Sequence, residues 1–171
     1  SFHVTGVQTC ALPIFEMGYR SDVVAIFYAT DVVKVNNSEA EAKAFNERNR
    51  AKLKLFVEEN FPEYWRGADN PDDEDYLTML DTPDRLIYEF KVSSVKWYEG
   101  YEDVTEFEQF WDKFKELADA EMDGDEPQGD EPVEWACEFI RLGENTEDIE
   151  ERSSGDAEWL LQVSRVIENN Y

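Results

Sequence analysis

Carboxylates are the reactive groups this sequence supplies in quantity, and their spacing limits what they can do. Forty-one aspartates and glutamates face 16 lysines and arginines over 171 residues, a formal charge of −25. Glu108, Asp112, Glu116 and Asp119 recur at i, i+4, i+8 and i+11, so on a helix they line one flank. Asp119–Asp130 (DAEMDGDEPQGD) places Asp119, Glu121, Asp123 and Gly124 near the first, third, fifth and sixth places of an EF-hand loop. It departs from that loop later: Glu126 stands where an apolar residue is usual, and Asp130 replaces the closing bidentate glutamate. That pattern disfavours specific calcium binding. Nor does a D-x-D or E-x-x-E cluster sit at a strand end beside a general base, so carboxylate-only metal catalysis has no obvious seat. No cofactor is expected.

The other chemistry-bearing residues are few: one histidine (His3) and two cysteines (Cys10 and Cys137). His3 and Cys10 flank or lie within Val4–Ile14, "VTGVQTCALPI", an uncharged apolar stretch. As a secretory signal it fails, because it has no basic start and Gly6, Gln8 and Pro13 interrupt the apolar run. All eleven residues instead resemble the translation of a common sequencing-library adapter. That resemblance implies that residues 1–16 are a non-native extension and that the protein proper begins at Met17. The expected domain is then 17–171, with no histidine and Cys137 alone. Such a chain cannot form an internal disulfide, a Cys/His zinc site or a histidine-based triad. Cys137 falls within an apolar strand pattern (Trp135–Ile140) and reads as a buried thiol. A thiol-poor chain suits a reducing cytoplasm.

The charge is unevenly placed. Residues 17–98 hold 16 acidic and 11 basic residues, net −5, whereas Glu99–Glu158 holds 23 acidic and 4 basic, net −19. Phosphate backbones and anionic membranes would repel such a surface, which favours cationic partners.

Hydrophobic periodicity supplies the elements that must carry these groups. Asp22–Thr30 reads as a central strand. Ser38–Glu41 is a capping box opening a helix to about Asn60, with Phe45, Leu53, Phe56 and Val57 inward. Arg85–Ser93 alternates as a strand, which Ser94–Tyr98 continues or follows after a bulge. Thr105–Glu108 reads as a second capping box, ahead of a stripe of Phe107, Phe110, Trp111, Phe114, Leu117 and Ala118. Val133–Leu142 and Glu158–Ile167 read as two strands joined by an acidic loop around Gly143–Asp156. The expected fold is α+β: two helices on one face of a mainly antiparallel sheet, ferredoxin-like or a variant.

"MGYRSDVVAIFYA" from Met17, "VKWYEGYEDV" (Val95–Val104) and "EFIRLGENTEDIEE" (Glu138–Glu151) together resemble an uncharacterised family of small acidic proteins of tailed bacteriophages and prophages, over residues 17–168. The resemblance implies a phage context, hence the cytoplasm of a bacterial host, and transfers no catalytic residue. Its blocks point to a surface formed by Tyr19, Arg20, Trp97, Tyr98 and Arg141, with Arg141 a salt-bridge partner for Asp148 or Glu144 and Gly143 at a positive-φ turn.

The functional expectation is a non-enzymatic acidic interaction protein, a DNA mimic inhibiting a basic, nucleic-acid-binding host or defence factor, such as a CRISPR complex. The contact surface would be Glu106, Glu108, Asp112, Glu116, Asp119, Glu144, Glu147, Asp148, Glu150 and Glu151. The alternatives are a carboxylate-based divalent-metal-binding protein and a phage structural or replication accessory protein.

Overall fold

The computed structural model describes residues 18–67, 70–120 and 133–163. The expected extension at 1–16, and residues 121–130 of the EF-hand-like stretch, lie outside them. In chain order the elements are β1 (Ser21–Thr30), α1 (Glu39–Asn60), a 3-10 turn (Glu63–Trp65), β2 (Leu77–Asp81), β3 (Arg85–Val95), α2 (Glu102–Ala118), β4 (Trp135–Gly143) and β5 (Ile149–Gly155). The five strands form one antiparallel sheet in the order β2-β3-β1-β4-β5. The first four follow the ferredoxin-like order, and β5 adds an outer strand by a hairpin from β4.

β1 is central because its run of β-branched and aromatic residues can be buried on both faces. Val23, Ala25, Phe27 and Ala29 point to the helical side, and Ile26 and Tyr28 point to the other. Phe27 is the hub of the core: its ring lies 4.9 to 6.4 Å from those of Phe61, Phe107, Phe110, Trp111 and Phe114. Four of these are edge-on, the arrangement in which ring quadrupoles attract.

The Ser38 hydroxyl accepts from the Glu41 amide at 3.2 Å, so the first capping box forms on that side. Its reciprocal half does not: the Glu41 carboxylate accepts from Asn36, and the Ser38 amide donates to the Val35 carbonyl. At the other end of α1, Arg66 donates to the carbonyls of Val57, Glu58 and Phe61, adding to the Phe61 amide that already serves Val57. Two buried asparagines of α1 act as surrogate strand neighbours. Asn46 bonds both backbone groups of Val32, and Asn49 bonds both of Glu134, so one helix turn is fastened to the chain leaving β1 and to the chain entering β4.

Three sequence expectations are corrected. The second capping box is absent, because α2 begins at Glu102 behind Tyr101, which gives no side-chain cap, and Thr105 lies inside the helix. The last strand is Ile149–Gly155, within the stretch expected to be a loop. Residues 158–163 of the expected final strand form no strand; residues 164–167 lie outside the described set. β2 was not anticipated at all. β3 does continue, to Val95, through a one-residue register shift opposite Ser21–Val23. There Ser94 adopts φ +56° and its amide is taken by the Asp22 carboxylate at 2.8 Å.

Candidate interaction surface

Two groups of polar residues gather on the β4–β5 side. The first closes one end of the sheet, where β1 starts and β3 and β4 finish. The Tyr19 hydroxyl donates to Asp148 at 2.9 Å and accepts from the Asn145 amide at 2.9 Å. The Tyr19 amide meets the Tyr98 hydroxyl, and the Arg20 amide donates to Glu144 at 2.8 Å. Arg20 spends its guanidinium on the Ser94 carbonyl. Arg141 grips Asp148 with two nitrogens, at 3.0 and 2.9 Å, and reaches Glu150 at 3.1 Å. Tyr19, Arg20, Tyr98 and Arg141 are therefore brought together, and Arg141 pairs with Asp148 rather than Glu144.

Trp97 stands apart from this group. It packs against Trp65, Phe90, Phe107 and Phe139 and belongs to the core. Gly143 is also not at positive φ. A Cβ there would sit 2.1 Å from Asp148 and 2.3 Å from the Tyr19 hydroxyl, so glycine is needed for close approach.

The second group runs from the hairpin onto α2. Glu150 bridges Arg141 to Arg152, and Arg152 pairs with Glu108 through both terminal nitrogens. Asp148, Arg141, Glu150, Arg152 and Glu108 thus form a chain of alternating charge from the sheet end to the helix flank. Asp119, on the same flank, takes Lys115 at 2.5 Å and the Gly155 amide at 2.8 Å. The periodic acid row is consequently divided. Glu108 and Asp119 turn toward β5 and clamp α2 to it, while Asp112 and Glu116 stay in solvent.

Glu106, Asp112, Glu116, Glu147 and Glu151 are exposed and make no ion pair among the described residues. Of the four cations between Glu99 and Glu158, Lys115, Arg141 and Arg152 are all committed within the chain. Salt bridges hold Asp119 and Asp148 below the usual carboxylate range, through Lys115 and Arg141 respectively. Both keep their charge well into acid, but as internal partners.

Sequence reasoning named Arg141 as a salt-bridge partner but missed Arg152, which sits in a stretch whose composition reads only as acidic loop. The signal available was the spacing of Arg152 from Glu150: two residues apart on a strand, they share one face, and the hairpin register sets Arg141 opposite Glu150. Among the described residues no group of three or more histidines, cysteines or carboxylates is arranged to hold a metal ion. No described helix is long and apolar enough to cross a membrane. No family model, curated protein or solved structure matches the chain.

Proposed function

We propose that this chain is a non-enzymatic acidic interaction protein of phage type, which offers the outer flank of α2 and the β4–β5 hairpin to a basic protein partner. The partner class that fits best is a nucleic-acid-binding host or defence factor, engaged by mimicry of a phosphate row. One observation carries the reading: three of the four cations between Glu99 and Glu158 are consumed by internal clamps, while Glu106, Asp112, Glu116, Glu147 and Glu151 stay exposed and make no ion pair among the described residues. Fixed carboxylates on a packed helix keep their spacing without a partner, which lowers the ordering cost of binding. Such a surface would steer a basic groove toward it at a rate that falls with salt.

The test is titration against purified basic nucleic-acid-binding proteins at several salt concentrations, with duplex DNA as competitor. The reading expects at least one partner that duplex DNA displaces and whose affinity falls steeply with salt. Replacing Asp112, Glu116 and Glu147 by lysine should abolish that binding and leave the circular dichroism unchanged. Binding unaffected by the triple reversal would place the contact elsewhere. Binding that DNA does not displace would reject mimicry.

A further inference from the structure

The outer face of the sheet, opposite the helices, is crossed by the segment that follows β5. Residues 156–163 make no strand, yet they are held at defined points. The Glu158 amide donates to the Tyr28 hydroxyl at 2.7 Å, and the Glu158 carboxylate takes Arg85 at 2.7 Å and Thr30 at 3.0 Å. The Leu160 and Leu161 amides donate to Glu138 at 3.1 and 3.0 Å, and Tyr28 donates to the same carboxylate at 2.7 Å. Glu138 is 2% exposed and has no cationic partner among the described residues. A carboxylate buried that deeply is costly unless its oxygens are filled, and three donors fill them.

Against this polar fastening the apolar contribution is small. Only Ala157 and Leu161 pack onto Ile26, Tyr28, Ala136 and Ile87. Trp159 is 63% exposed and Leu160 38%. Trp159 also holds φ +56°, a left-handed conformation that a bulky side chain adopts only under constraint. The constraint is the pair of bonds on either side of it, at Glu158 and at Leu160–Leu161. The segment before it leaves β5 at Gly155, whose φ of +71° gives a turn there.

We propose that residues 156–163 form a strap latched by Glu138, which lifts from the sheet as a unit without unfolding the domain and so uncovers the strip Ile26–Tyr28–Ala136–Ile87. The strain at Trp159 works against the docked state and the Glu138 bonds work for it. The latch is independent of what the acidic flank of α2 binds.

Native-state hydrogen exchange on the full chain tests this at two amides, Leu160 and Leu161, compared with Phe27 in β1. A strap that lifts alone exchanges at least tenfold faster than Phe27, with little dependence on low denaturant, because little surface opens. Glu138→Gln should speed the two strap amides tenfold or more relative to Phe27. Trp159→Gly removes the left-handed penalty and should slow them about tenfold. Exchange of strap and β1 amides at one common rate with one denaturant dependence would overturn the proposal. If Glu138→Gln does not fold, Trp159→Gly decides: slower strap exchange supports the latch, and unchanged exchange refutes it.

Discussion

Arg152 closes both terminal nitrogens onto the Glu108 carboxylate, at 2.7 and 2.8 Å, while its guanidinium carbon lies 4.0 Å from the Phe139 ring centroid and 4.8 Å from that of Trp111. One side chain thereby joins an edge strand to a helix and roofs the aromatic core. Arg152→Ala removes the bidentate pair, the ring contacts and the methylene packing together, and should cost about 2–3 kcal/mol in urea denaturation. Glu108→Gln keeps the shape and should cost about 1 kcal/mol. A double-mutant cycle should return a coupling of roughly 1 kcal/mol. Independent effects would mean that Arg152 acts through packing alone.

That same clamp explains what the sequence concealed. α1 was readable because Ser38 announces its start and Leu53 and Val57 mark its buried side. β1 was readable because its run is continuously apolar. β5 was not: in Ile149–Gly155 the helix-facing positions are Glu150, Arg152 and Ser154, so its inner side is sealed by ion pairs and no apolar alternation appears. Glu158–Val163 misleads in the opposite sense. Trp159, Leu160 and Leu161 read as strand, but the backbone amides there serve Glu138 instead of a neighbouring strand. The end-of-sheet group was legible as separate blocks, and the antiparallel order β3-β1-β4 is what brings them together. The division of the acid row was not legible, since the position of β5 decides that Glu108 meets Arg152 and that Asp119 meets the Gly155 amide.

Acid should weaken the fold through specific pairs. Arg85 lowers Glu158, as Lys115 lowers Asp119 and Arg141 lowers Asp148. A depressed native value means that the unfolded chain binds more protons, so these carboxylates stabilise the fold above the unfolded range near pH 4. That contribution is lost as pH falls through the native values. Glu134 has the opposite sign: burial, and then the charge and hydrogen bond of Asp156, raise it. Its contribution is fully present below the unfolded value and lost as pH rises through the native one. Thermal melts against pH should show Glu134→Gln more stable than the parent at neutral pH and the two converging near pH 4. A constant offset across that range would refute the assignment.

Cys137 should be chemically silent in the native protein. It is fully buried, and burial, with the Asp119 charge next, pushes its thiol up to about 12. A thiolate is the reactive form, and at neutral pH about one molecule in 10⁵ would carry it by that titration alone. In a Cys10→Ser background, iodoacetamide should label Cys137 only as fast as the domain opens, with a denaturant dependence equal to that of unfolding. Rapid labelling in native buffer would show access to the core that the buried cluster Cys137 shares with Phe114, Trp135 and Phe139 does not provide.

Exposed like charges on α2 should make the domain more stable in salt. Asp112 and Glu116 are one turn apart in solvent, and neither makes an ion pair among the described residues. Like charges at that spacing oppose the helix by roughly 0.2–0.5 kcal/mol, a penalty that ions screen once the Debye length falls from about 10 Å at 0.1 M to about 3 Å at 1 M. Melting temperature should therefore rise with sodium chloride. Glu116→Lys turns the repulsion into an attractive i, i+4 pair with Asp112, so it should raise the melt at low salt by more than at 1 M. Paired with the binding titrations, this separates two roles for the same carboxylate. A Glu116→Lys protein that is more stable but no longer binds would mean that the helix carries this charge at the expense of its own stability. A variant that loses both stability and binding would instead tie Glu116 to the fold, against the solvent position in which the side chain stands.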